Sequence, residues 1–237
     1  MDHTVQRDTR NQLLQAMRAE DLAALRPHLR YADLPLGEPL IRSHRPVEDL
    51  YFPDSGVVSI TAEASQGRVE VGMTGREGLI GAVPVLLGSD RVASDCFIQI
   101  PGAAWRIPAA ALSAAAEASP SLRRLLLRYV QTELVQARHT AYVNATFTLE
   151  PRLARWLLMC HDRVDGDDLP LKHEFLSVML GVQRSGVTLA LQALEGGGGI
   201  RGRRGRVQIL DREPLRQVAD ASYGAAEAEY ARLIVGA

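Results

Sequence analysis

Between residues 184 and 216 the chain sets Arg184, Arg201, Arg203, Arg204, Arg206, Arg212 and Arg216 against only Glu195, Asp211 and Glu213. A guanidinium is a permanent cation whose planar fork of N–H donors suits phosphate oxygens and the O6 and N7 edge of guanine. The whole chain has a formal net charge of −1, so this excess is local, as a phosphate-binding face would be. Other chemistry finds little support. There is no Gly-rich loop followed by Lys, no nucleophile elbow and no His/Cys cluster at metal-ligand spacing, so no enzyme activity, cofactor or metal is expected. Cys96 and Cys160 are the only cysteines, too few for a four-cysteine zinc or iron–sulfur site. That usage suits a reducing cytoplasm. Of the six histidines, His44, His139 and His161 are conceivable haem ligands, but each reads more simply as a surface or packing residue.

The arginines need elements to position them. Residues 171–194 give a helical run with Leu176, Met179 and Leu180 on one side. Gly181 and Val182 follow, then a second run with Val187, Leu191 and Leu194 at i, i+4 and i+7. Gly181 supplies the positive φ of a tight turn, and Ser177 is small enough to sit where the two helices cross. The second helix opens with the polar Gln183, Arg184 and Ser185. Four glycines, 196–199, end it, and their purpose is not legible. Then comes a basic hairpin: residues 200–203, a turn at Arg204-Gly205, and residues 206–210. Helix, turn, helix and ribbon make a winged helix-turn-helix, whose second helix lies in the DNA major groove. The candidate DNA-contacting residues are Gln183, Arg184, Ser185, Thr188, Arg203, Arg204 and Arg206. A helical hairpin with solvated arginines is the plainer alternative, and it leaves the turn, the polar helix start and the ribbon unexplained together.

The 237 residues, 46% hydrophobic and 23% charged, suffice for two modest domains. No apolar run is long enough to span a bilayer, and the start, MDHTVQRDTR, lacks the apolar core of a signal peptide. Residues 11–29 read as one entry helix. Residues 31–108 read as many short strands between turn signals such as Pro53-Asp54-Ser55-Gly56 and Pro101-Gly102, hence an antiparallel roll, barrel or sandwich. Residues 109–118 return to helix. Ser119-Pro120 then opens a long helix reaching about Ala141, or Asn144. Leu127, Val130, Leu134, Ala137 and Ala141 repeat at coiled-coil spacing and are the candidate dimer seam. A second stripe of Leu122, Leu125, Leu126 and Tyr129 would cover the helix's own roll; one broad core face is the alternative. Residues 148–164 read as a helix with Leu149, Leu153, Leu157 and Cys160 inward. An acidic loop follows at 162–168, and one or two closing helices at 213–235.

In this order the elements resemble the Crp/Fnr superfamily of dimeric bacterial transcription regulators. The resemblance is strongest in HEFLSVMLGVQRSGVTLALQAL and the wing GRRGRVQIL, and is also visible in LYFPDSGVVSI and VEVGMTGREGLIG. It implies an α+β fold: an N-terminal antiparallel jelly-roll-like β-roll sensor over residues 1–118, a dimerisation helix over 119–145 and a DNA-binding domain over 146–237. It implies double-stranded DNA, a second copy of the chain, RNA polymerase and an effector of unknown identity as partners, with no membrane. A winged-helix adaptor that binds protein in place of DNA is the alternative. The chain departs from the cyclic-AMP-binding pattern in the loop 81–94. Ala82 stands where the ribose-binding Glu is expected, and Val92-Ala93 where the phosphate-binding Arg-Ser pair is expected. Arg91 falls one residue early, on the other face of an alternating segment. Loss of the Arg–phosphate pair would cost on the order of 2–5 kcal/mol, so cyclic-AMP sensing is not expected. The apolar substitutions point to a filled or apolar pocket. In the second helix, Arg184 matches a guanine-contacting position of the relatives. Ser185 and Leu189 replace a Glu and an Arg that often read bases there, so a different half-site is implied.

Overall fold

The computed structural model describes residues 9–65 and 67–236; most of the stretch MDHTVQRDTR lies outside them. The reading of an α+β chain holds. The entry helix is instead two short helices, α1 (Gln12–Ala16) and α2 (Ala19–Leu25). Met17 and Arg18 between them are extended. The break lets Leu13, Leu14, Met17, Leu22 and Leu25 all face one core. Asn11 caps α1 at Leu14 N, and its amide donates to Pro53 O and Gly78 O, both at 2.9 Å, tying the entry segment to the roll.

The roll has β1 (Arg30–Leu34), β2 (Pro39–Ile41), β3 (Asp49–Ala64), β4 (Gly67–Thr74) and β5 (Asp95–Pro108). All pairings are antiparallel, in the order β1-β5-β3-β4, with β2 also on β5. Many short strands were expected, but β3 and β5 are long and bent. The supposed turns at residues 53–56 and 101–102 lie inside them. Register shifts at Pro53/Ser55 and Ser55/Val57 mark the bend. Two glycines make it feasible. A Cβ on Gly56 would sit 2.5 Å from Ile100 O, and one on Gly102 would sit 2.2 Å from Ser55 O. The loop 81–94 holds an unforeseen helix, α3 (Ala82–Leu86).

Then follow α4 (Ala109–Ala118) and the long α5 (Pro120–Thr146), which runs beyond the expected end. Ser119 caps α5, as its position before Pro120 suggested. Leu122, Leu126 and Tyr129 bury against the roll, α1 and α4. The C-terminal part has α6 (Leu149–His161), β6 (Asp168–Leu169), α7 (His173–Leu180), α8 (Arg184–Gly196), β7 (Ile200–Arg203), β8 (Arg206–Ile209), α9 (Arg212–Ala219) and α10 (Ala225–Tyr230). The wing is a three-stranded sheet, because β6, read as loop, pairs with β8. One π-helical turn, Ala231–Val235, returns to the roll, where Leu233 and Ile234 join the core around Leu13, Leu14 and Leu126.

Candidate nucleic-acid interface

The turn between α7 and α8 is built as its residues suggest. Gly181 has φ 64°, and its N–H and that of Val182 close the end of α7 onto Val178 O and Ser177 O. Ser177 is half-buried, and its hydroxyl donates back onto Glu174 O. Leu176, Met179 and Leu180 of α7 and Val187, Leu191 and Leu194 of α8 are buried together with Leu153 and Leu157. That packing leaves the start of α8 outward, with Gln183 as its cap residue and Gln183, Arg184 and Ser185 exposed. Leu189, one turn on, is 66% exposed. Thr188 is half-buried, and its hydroxyl donates to Arg184 O and meets His173 Nδ1 at 3.3 Å.

On the wing Arg201, Arg203, Arg204 and Arg206 are exposed, and Gly205 takes φ 71° at the tip. Among the described residues none of these four, nor Arg184, makes an ion pair or side-chain hydrogen bond. Arg212 differs. It holds Asp162 at 2.6 Å, Tyr223 Oη at 3.0 Å and His161 Nδ1 at 2.9 Å. It is therefore structural and drops out of the phosphate-binding set.

Two positioning residues were not foreseen. Glu195 accepts from Gly202 N at 3.1 Å, which pins the wing to the end of α8. Arg152 donates to Leu180 O at 2.6 Å and to Asn144 at 3.0 Å, linking the end of α5 to the turn. Both act across separations that local pattern does not register. The glycine run now has a partial reason. Gly198 takes φ 79°, and a Cβ on Gly199 would meet Leu215 at 3.1 Å, while Gly199 O accepts from Leu210 N and Asp211 N. Nothing in the structure explains Gly196 or Gly197.

Residues 151–218 match the family model for the Crp-like helix-turn-helix domain. The chain has the Crp/Fnr fold and carries a Crp-like helix-turn-helix domain. A transcriptional regulator of the Crp/Fnr family from Eubacterium rectale superposes over 88% of this chain and 98% of its own, with TM-score 0.69 and 16% identity. FixK2 from Bradyrhizobium japonicum gives 0.69 and 20% identity over 81% of this chain and 98% of its own. The Xanthomonas campestris regulator CLP, described as c-di-GMP-responsive, gives 0.63 and 19% over 81% and 99%. No curated protein sequence matches the chain.

The seam of this Crp/Fnr-fold chain divides on inspection. Leu127, Leu134, Ala137 and Ala141 are exposed along α5, whereas Val130 is buried in the chain's own core. Beside Leu134 and Ala137 opens a cavity of about 220 Å³, walled mainly by Ile41, Ile60, Ile80, Val83, Pro84 and Val92. Arg91 does not line it, being exposed and paired with Asp90. Ala82 is wholly buried. Glu133 also lines this cavity. Burial pushes its carboxyl up to about 7, against a hydrogen bond from Tyr129 that lowers it. His161 hydrogen-bonds Asp167, His139 hydrogen-bonds Ser222 O, and His44 is exposed. Among the described residues no three His, Cys, Asp or Glu side chains group as metal ligands, and no helix is long and apolar enough to cross a membrane.

Proposed function

We propose that the protein is a DNA-binding transcription regulator that grips its operator as a homodimer. The observation that carries this is the set of five exposed arginines without ion pairs among the described residues, at the start of α8 and on the wing, on either side of a helix-turn-helix core. Unpaired guanidiniums on one domain suit phosphates and base edges. The similar structures described as transcriptional regulators support the same reading. Arg184 takes a base contact, with Gln183, Ser185 and Thr188 beside it; Arg203, Arg204 and Arg206 take phosphates. The exposed Leu127, Leu134, Ala137 and Ala141 form the two-fold seam, and RNA polymerase is the onward partner. The effector, if one acts, enters the apolar cavity beside Leu134 and carries no phosphate to pair with a cation there.

A protein-binding winged helix is the second reading, favoured by Leu189 and Val178, which are exposed on the same motif. Titration of random duplex DNA at several salt concentrations separates the two. A steep fall of affinity with salt is expected for the regulator. Salt-independent or absent binding sinks that reading.

A further inference from the structure

The DNA-binding domain does not hang free of the roll. Trp156 and Cys160 of α6 reach into a buried polar row supplied by three roll strands: Ser59 on β3, Glu70 on β4 and Gln99 on β5. Trp156 Nε1 donates to Glu70 Oε1 at 2.6 Å. Ser59 Oγ lies 2.5 Å from Glu70 Oε2 and also against Gln99 Oε1, and Gln99 Nε2 faces Cys160 Sγ at 3.5 Å. Around this row Phe175 of α7 meets Phe97 and Trp156 edge-on or tilted, and Gly181 rests on Val69.

Count the protons. Ser59 has one hydroxyl hydrogen and two oxygen neighbours that both want it. With the Gln99 amide nitrogen turned to Cys160, its oxygen needs the Ser59 hydrogen. Ser59 Oγ must then receive one, and the donor available is a protonated Glu70. The row then runs Glu70 to Ser59 to Gln99 to Cys160, every step donor to acceptor. Remove the Glu70 proton and Ser59 turns to the carboxylate. Ser59 Oγ and Gln99 Oε1 then face each other with lone pairs alone, unless the amide turns over and breaks its contact with Cys160. We propose that this row is a proton-operated latch: with Glu70 neutral the DNA-binding domain stays docked on the roll, and loss of the proton loosens it.

The surrounding charges are consistent. From α6 the Arg155 and Arg163 guanidiniums favour the carboxylate, but burial outweighs them and the Ser59 and Trp156 hydrogen bonds, so Glu70 is pushed up to about 7. Arg163 is engaged with Glu77, Arg155 with Thr140 of α5, and Arg152 with Leu180 O. The Cys160 thiol is held neutral by burial. From β3 Ser59 bonds Glu70, and from β5 Gln99 bonds Ser59, both uncharged; Glu63 of β3 and Asp95 of β5 are engaged with Arg68. In the undocked form Glu70 meets water and titrates in the ordinary carboxylate range. The docked form thus holds the proton more tightly. Its advantage is complete below that ordinary range and is lost as pH rises from there through about 7, by up to about tenfold in the docking equilibrium per pH unit, and the equilibrium is level above. What release does to operator binding rests on the DNA-binding reading above; the latch itself does not.

The test uses the full chain with Trp105→Phe, so that Trp156 is the single tryptophan, between pH 5 and 8.5. The expected result is a shift of Trp156 emission towards the solvent-exposed form with a midpoint at or below about pH 7 and a plateau above it. Hydrogen exchange over residues 149–180, corrected for intrinsic rates, should accelerate in parallel. Glu70→Gln, an isostere of the neutral acid, should stay docked and flat across the range. Glu133→Gln, removing the other carboxyl that burial pushes up to about 7, should titrate as the parent does. A flat parent, a Glu70→Gln variant with the parent's transition, or a transition lost only in Glu133→Gln overturns the latch. If Glu70→Gln fails to fold, the Trp156 indole N–H and the glutamate carboxyl carbons are followed by NMR in the unsubstituted protein. A shared midpoint at or below about 7 supports the latch, and a pH-invariant indole overturns it. No DNA enters these readouts, so a failed latch leaves the regulator reading standing, and absent DNA binding leaves the latch standing.

Discussion

Two kinds of arginine on one domain differ in what a mutation should reveal. Arg184 opens a helix whose exposed N-terminal side chains suit a base edge, whereas Arg204 sits at the wing tip, which the proposed complex would set against phosphates. Arg184→Ala should lose about 1–3 kcal/mol on a selected operator and relax preference at one base pair per half-site. Arg204→Ala should weaken operator and scrambled duplex alike and flatten the salt slope by roughly one phosphate per subunit. Paired titrations on both duplexes decide. Equal weakening of both duplexes by Arg184→Ala would make it a phosphate clamp. At the same scale, Asn11 satisfies Leu14 N, Pro53 O and Gly78 O while wholly buried. Asn11→Ala should lower the unfolding free energy by about 1–3 kcal/mol in urea titration, because it strands buried carbonyls.

Among the elements, α5 carries the greatest consequence. One stripe is spent on the chain's own core, and the other is open at Leu127, Leu134, Ala137 and Ala141. Leu134→Arg should place two like charges across the two-fold axis. Sedimentation should then show a monomer, with tight operator binding lost along with the second half-site. A variant that remains dimeric moves the interface away from this stripe. Leu134 also borders the apolar cavity, so a ligand there would touch the seam directly.

For the molecule as a whole, the cavity bears on ligand binding and the returning C-terminal residues on stability. With Arg91 outside the cavity and Ala82 buried, no guanidinium among the described residues lines its wall to receive a cyclic phosphate. Calorimetry should detect no saturable binding of cyclic AMP or cyclic GMP at micromolar concentrations; a saturable isotherm would place Arg91 on the phosphate after all. Residues 230–234 close back on the roll, since Tyr230 Oη donates to Glu77 O at 2.7 Å and Ile234 is buried in the core beneath it. Ile234→Ala should therefore destabilise the roll by about 2–5 kcal/mol in denaturant unfolding, although it lies far from the strands in sequence.

The helix-turn-helix and wing were legible from residues alone because their signals are local: a 3.6-residue apolar period, a glycine at positive φ, and arginines around a turn. The cap and first turn of α5 were legible for the same reason. Tertiary structure decided what depends on distant partners. The turn-like Pro53-Asp54-Ser55-Gly56 lies within a strand because Gly56 and Gly102 let two bent backbones touch. Arg212 left the basic face because Asp162, Tyr223 and His161 converge on it, and Val130 left the seam because the core claimed it. Nothing in the sequence singles out Glu70. Only packing of α6 over the roll buries it beside Trp156, and burial is what raises the energy of its charge.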